Sequence, residues 1–143
     1  MVKASAAVPT RPFGRASIPV SIMALGGWHL GLPKTEREST RLVHAAIDGG
    51  ITFMDNAWDY NDGVSETRMG KALVGRRDKV FLMTKACPHG RDARTAMRQL
   101  EDSLRRMAVR ASRPCGQAFV MRKTLSRRPT SALPMRVSLT PSL

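Results

Sequence analysis

The sequence predicts an α/β chain built around a buried parallel sheet. Three observations carry that expectation. Short, continuously apolar runs end near residues 25, 55 and 84. Stretches of helical periodicity separate them, at a spacing of about 30 residues. Each run also ends on residues of marked chemistry rather than in a plain turn. Continuous apolar strands alternating with helices are the pattern of βα units, whose sheets are covered on both faces.

The elements follow in order. Arg11-Pro12-Phe13-Gly14-Arg15-Ala16-Ser17-Ile18-Pro19-Val20 reads as a small hairpin turning near Gly14. Ser21 to Leu25 is the first strand of the repeat and stops at Gly26-Gly27. Thr35-Glu36-Arg37-Glu38 has the form of a capping box, and Leu42, Val43, Ala46 and Ile47 fall on one face of the helix it opens. Gly49-Gly50 closes that helix, and Ile51 to Met54 is the second strand. Ser65 is the expected N-cap of a helix reaching about Leu73, with Met69, Ala72 and Leu73 at helical spacing. Val80 to Thr84 is the third strand, and Asp92 or Thr95 opens a further helix striped by Met97, Leu100, Leu104 and Met107.

After Met107 this grammar fails. Pro114, Pro129, Pro134 and Pro141 interrupt the tail, and a strand at Ala118 to Met121 stands isolated in the pattern. Charge divides at the same place. Residues 1–107 hold all 11 acids and 17 of the 24 Lys and Arg, whereas residues 108–143 hold the other 7 and no acid. The expected organisation is therefore a flexible N-terminus over residues 1–9, a folded part over 10–107, and a basic, disordered tail over 108–143.

Composition excludes several classes. No apolar run approaches the roughly 18 residues that span a bilayer, so no membrane association is expected. The basic, acid-free N-terminus lacks the apolar core of a secretory signal, although its composition also suits a transit peptide. Cys87 and Cys115 make neither a disulfide framework nor a metal-ligand spacing, which points to free thiols in a cytoplasmic protein with no bound metal. The tail attracts phosphates through charge alone. Phe119 is its one aromatic and it has no finger or RNA-binding motif, so no specific nucleic acid is expected.

The strand ends carry the chemistry. The first delivers Gly26-Gly27-Trp28-His29, the second Asp55 and the third Lys85. In parallel βα architectures those ends share one face, where sites form. Asp55 and Lys85 are candidates for a half-buried ion pair; the plainer reading of Lys85 is a strand-end cation that snorkels to water. Tyr60 adds a mechanism. A phenol is a poor proton donor to a carbonyl unless a nearby ammonium stabilises its phenolate, and a carboxylate can hold that ammonium in place. Spacing alone does not bring the three together. Asp59, Asp62 and Glu66 read as ordinary loop and helix-start acids.

LGGWHLG at 25–31, DNAWDYNDGVSETRMGKAL at 55–73, MTK at 83–85 and MRQLEDSLRRM at 97–107 together resemble the N-terminal half of the aldo-keto reductase family, over about residues 10–107. The resemblance implies a (β/α)8 TIM barrel closed at its bottom by an N-terminal hairpin, here a partial one with about three βα units and an irregular tail. It implies NADP(H) as cofactor and reversible hydride transfer between nicotinamide and a small-molecule carbonyl or alcohol. Carried over residue by residue, Tyr60 is the proton donor and Asp55 and Lys85 its tuning partners. Gly26, Gly27 and Trp28, with Asp55, line the nicotinamide and substrate pocket. Trp58 is either a further wall of that pocket or plain packing.

Two departures from the family pattern stand out. The family's fourth catalytic member is a histidine at the end of the fourth strand, and His29, His44 and His89 all lie elsewhere. The later strands that grip the phosphate end of the cofactor have no counterpart, since a complete barrel needs at least about 200 residues. A tail translated out of frame is one expected reason. Dropping one nucleotide before Ala108 lets the codons of residues 108–114 be re-read as RSEHLDL, the kind of phrase the family places at its fourth strand. The expected protein is thus a truncated aldo-keto reductase of weak or no activity, prone to self-association through its incomplete barrel. Its alternatives are a noncatalytic half-barrel interaction module and nonspecific nucleic-acid binding through the tail.

Overall fold

A computed structural model describes residues 8–87 and 92–108, and the backbone of residues 118–122. The hairpin pairs β1 (Thr10–Phe13) with β2 (Ile18–Ser21) in antiparallel register. A parallel sheet follows, formed by β3 (Ala24–Gly26), β4 (Phe53–Asp55), β5 (Phe81–Ala86) and β6 (Ala118–Arg122) in that spatial order. Helices α1 (Glu36–Asp48), α2 (Val64–Ala72) and α3 (Ala93–Arg106) alternate with the strands. The sheet order equals the chain order, as a barrel segment requires.

The helix signals act in the ways their chemistry dictates, with three differences. Thr35 and Glu38 form the complete capping box of α1. Gly50, at φ +90°, takes the left-handed conformation that turns the chain into β4. Asp92 caps α3 by accepting from the backbone N–H groups of Arg94 and Thr95. By contrast, α2 starts one residue before Ser65 with Gly63 as its N-cap, because the Ser65 hydroxyl is engaged in a tertiary contact. On α1, Leu42 is exposed while Val43 is sealed. On α3 the inward face runs through Gln99, Leu100, Ser103 and Met107, and Met97 is exposed. The physical reason is a polar one: the Gln99 amide pairs with both the N–H and the carbonyl of Cys87 at the end of β5, which rotates the helix away from a purely apolar stripe.

The core lies between the sheet and the helices. Leu30, Val43, Met54, Met69, Ala72, Leu73, Val80, Leu82 and Met107 form one buried cluster. At the opposite, N-terminal end of the strands, Phe13 of the hairpin stacks against Phe53 and Phe81 with centroids 5.3 and 5.2 Å away. Ser21 ties the hairpin to the start of β4, its Oγ accepting from the N–H groups of Thr52 and Phe53. The hairpin thus closes the bottom of the sheet. Residues 118–122 pair in parallel with β5 from Leu82↔Ala118 to Ala86↔Arg122, so the strand that looked isolated in the sequence has a partner. Cys115, His89 and the rest of the tail lie outside the described residues. No helix among those described is long and apolar enough to cross a membrane.

Candidate active site

Register sets the site. Gly26 pairs with Asp55 across β3 and β4, and Asp55 with Met83 across β4 and β5. Side chains alternate along a strand, so Lys85, two residues past Met83, emerges on the same face as Asp55, one step nearer the C-terminal edge. The two meet there, with Nζ of Lys85 2.5 Å from Oδ1 of Asp55. Both are half-buried, with 18% and 30% of their side chains exposed, which leaves one side of the pair open to solvent. Gly26 contributes nothing to this face, and a Cβ built on it would meet no atom within 4 Å. An opening therefore lies beside Asp55.

Tyr60 arrives from the loop between β4 and α2. The Lys85 ammonium sits over its ring, 5.2 Å from the centroid. The Trp28 ring meets it edge to face at 5.3 Å and an interplanar angle of 89°. Trp28 itself is 47% exposed, offering an aromatic face at the rim. Asp55, Lys85, Tyr60, Trp28 and Gly26 thus gather at one end of the sheet. Gly27 is buried behind them, where a side chain would collide with Asn56. Trp58 is half-buried and turned toward α3, its indole N–H directed at Asp102 Oδ2 at 3.4 Å. On that side the Arg106 guanidinium lies over its ring, 5.4 Å from the centroid.

A buried polar layer supports the loop, and most of it escaped the sequence reading. Asn56 is fully buried; its Oδ1 accepts from the Ala57 N–H and the Ser65 hydroxyl, while the same hydroxyl also lies 2.5 Å from the Gly27 carbonyl. Glu66, expected to face water, is fully buried. Its two carboxylate oxygens accept from the Thr84 hydroxyl at 2.6 Å and from Arg106 at 3.2 Å. No local pattern announces a partner 40 residues away. The one local hint is that Thr84 directly precedes Lys85. Among the described residues no group of His, Cys, Asp and Glu could hold a metal ion. Of the histidines, His44 bonds the Ala72 carbonyl behind the sheet, and His29 sits exposed in the turn after β3.

Comparison with known proteins identifies the family. The model of the aldo/keto reductase family matches residues 22–112. An aldo-keto reductase of Alternaria alternata is 44% identical over 95 residues, covering 60% of this chain and 26% of its own length. The methylglyoxal reductase of Escherichia coli K12 is 36% identical over 95 residues, covering 66% and 33%. Among solved structures, an aldo-keto reductase from Klebsiella pneumoniae in complex with NADPH superposes with a TM-score of 0.64 at 34% identity, covering 72% of this chain and 36% of that one. The glycerol dehydrogenase of Gluconobacter oxydans gives 0.61 at 31%, covering 73% and 37%. The chain spans about a quarter to a third of the length of these curated relatives.

Proposed function

Because the chain belongs to the aldo/keto reductase family, we propose that it carries the proton-donor half of an NADP(H)-dependent carbonyl reductase site. The observation that carries this reading is the Lys85–Asp55 ion pair with its ammonium over the Tyr60 ring. Tyr60 gives its proton to the oxygen of a carbonyl as that oxygen gains negative charge. The Lys85 ammonium favours the phenolate left behind, and Asp55 holds that ammonium in place. The reverse direction, alcohol oxidation, uses the same groups with Tyr60 accepting the proton.

The residues present fit the nicotinamide end of the cofactor. The empty space at Gly26 leaves room for a flat ring beside Asp55, and the exposed Trp28 offers it an apolar wall. Gly26, Trp28 and Asp55 are the residues we assign to holding that ring, and Gly27, buried behind them against Asn56, shapes the turn that presents Trp28. When bound, NADPH supplies the hydride. The carbonyl substrate approaches over Trp28, which keeps water from the Tyr60 side of the reaction.

For this polypeptide by itself we expect weak cofactor binding and slow or absent turnover. None of the described histidines stands at the edge that holds Tyr60 and Lys85 in the place of the family's fourth catalytic residue. Among the described residues the sheet ends sideways at β3 and β6, so association of two chains through those edge strands belongs to this reading. Its two cysteines suit a cytoplasmic location. The test is NADPH titration by fluorescence together with reduction of methylglyoxal. Turnover should fall by about 100-fold or more in Tyr60→Phe and Lys85→Met, with NADPH affinity unchanged. A measurable parent turnover left unchanged in Tyr60→Phe would remove the proton-donor role. Submicromolar NADPH binding would contradict the expectation of weak grip.

A further inference from the structure

Arg106, the last residue of α3, is far from Tyr60 in sequence yet grips the loop that carries it. Its Nη1 donates to the Trp58 carbonyl at 2.8 Å and to Glu66 Oε2 at 3.2 Å. Its guanidinium lies 5.4 Å from the Trp58 ring centroid. It also fills the space beside Gly63, where a Cβ would strike it. The carboxylate it pairs with is held from the other side by Thr84, the residue before Lys85. One guanidinium thus joins α3, the start of α2, the catalytic-edge loop and, through Glu66, strand β5.

That loop needs a clamp. Asn61 and Asp62 sit at φ +51° and +55°, and Gly63 at +85°, so three successive residues are left-handed directly after Tyr60. Such a run persists only where surrounding contacts over-determine it, because non-glycine residues disfavour this region. The loop's first half is already tied to the sheet, the Trp58 N–H donating to the Lys85 carbonyl at 3.0 Å. Arg106 supplies the opposite tie, to the carbonyl of the same Trp58, two residues before Tyr60.

We propose that Arg106 is a positioning residue whose grip on Trp58 and Glu66 sets where the Tyr60 ring stands against Lys85 and Trp28. Lysine cannot replace it, since its compact ammonium lacks the flat guanidinium that lies over the Trp58 indole while one of its nitrogens, Nη1, bonds both the carbonyl and the carboxylate. The consequence for chemistry rests on the reductase reading above; the placement of Tyr60 does not.

Tyr60 is the single tyrosine of the chain, so ring-labelled tyrosine reports on it alone. Two variants of the full chain serve, Arg106→Lys, which keeps the charge, and the double substitution Glu66→Gln with Arg106→Met, which removes both charges together. In each, the Tyr60 ring signals should move toward those of an unstructured tyrosine and the Tyr60–Trp28 cross-peak should disappear, while core methyl signals such as those of Val43 and Leu82 stay native. If turnover is measurable, its rise with NADPH concentration should be shallower in both variants, while NADPH binding followed by fluorescence stays that of the parent. Folded variants with unchanged Tyr60 signals and an intact Tyr60–Trp28 cross-peak would overturn the proposal. Unfolding of both variants would overturn it too, making Arg106 a residue of stability rather than position. A measurable parent turnover that Tyr60→Phe leaves unchanged would sink the reductase reading alone, because the tyrosine signals are read without substrate.

Discussion

Substituting Gly70 by alanine sets two effects of opposite sign against each other. In the interior of a helix, alanine is favoured over glycine by about 1 kcal/mol, so an exposed α2 would gain stability. Gly70, however, is where α2 touches the end of α3. A Cβ there would stand 2.5 Å from the Arg106 carbonyl oxygen and 2.6 Å from the Met107 Cα, both backbone atoms that cannot rotate away. Restoring ordinary contact requires the two helices to part by about 1 Å, in an interior packed as densely as an organic crystal. Met69, Leu73 and Met107 line that junction and are all but sealed from water. A gap of that size forfeits a quarter to a half of the dispersion energy of the atoms it separates. Overpacking of this kind costs about 1–3 kcal/mol, and more against rigid backbone. With backbone atoms in the way the penalty lies near the upper figure, about 3 kcal/mol, and less the propensity gain of about 1 kcal/mol it leaves a net destabilisation of about 2 kcal/mol. Urea unfolding followed by tryptophan fluorescence measures it, with Lys71→Ala as control. That neighbour loses only an exposed ion pair with Glu36, which is worth about 0–1 kcal/mol. A Gly70→Ala midpoint equal to or above the parent's would mean that helix propensity wins and that α2 and α3 do not meet so closely.

Three further outcomes follow from the same structure. Thr35→Ala removes the hydroxyl half of the α1 capping box and should cost about 1 kcal/mol in thermal unfolding; an unchanged midpoint would place the helix start elsewhere. Glu66→Ala leaves Arg106 and Thr84 without their shared buried carboxylate. The loss should be about 3 kcal/mol, at the low end for a broken buried pair because Arg106 still reaches solvent, and a loss under about 1 kcal/mol in urea unfolding would contradict the burial of Glu66. The Asp92 carboxyl is held below its ordinary range by the Thr95 hydroxyl first, then by the N–H groups of Thr95 and Arg94. A carboxyl lowered in the folded state stabilises above its unfolded value and loses that contribution as pH falls through the folded one. Acid unfolding of Asp92→Ala should therefore lack this part of the parent's pH dependence, and identical profiles would show that the cap is not formed.

What could be read in the sequence was what local physics decides. The capping box at Thr35, the alternation of apolar runs with helical stretches, and the placing of Asp55 and Lys85 at strand ends each need only a few neighbouring residues. The supporting layer was hidden for the opposite reason. Glu66 looks like a first-turn acid of a surface helix until Arg106 and Thr84 close on it. Ser65 looks like a cap until its hydroxyl is spent on Gly27 and Asn56. Gln99 lies beside the apolar stripe expected on α3 rather than in it, yet it faces inward because the backbone of Cys87 needs partners. In each case a polar side chain is buried to satisfy a group distant in sequence, and no periodicity encodes that.

The site's two tasks also differ in how much chain they require. Asp55, Tyr60 and Lys85 come from β4, from the loop that leaves it, and from β5 beside it, so about 30 residues and one strand pairing bring them together. Trp28 needs only the next strand over, and the Arg106 clamp only the helix after β5. The proposed proton-donor geometry is therefore a short-range property of adjacent βα units. Holding a long dinucleotide is different, because its far phosphates extend across a barrel mouth and must be met by loops from distant strands. A polypeptide covering 36% of a solved NADPH-bound relative can then keep its tyrosine well placed and still bind cofactor poorly. The separation is measurable. The Tyr60–Trp28 contact should persist in the chain without cofactor, and turnover should rise in proportion to NADPH concentration without saturating. A chain that saturates at micromolar NADPH would show that the first half of the fold carries more of the cofactor grip than adjacent-strand geometry provides.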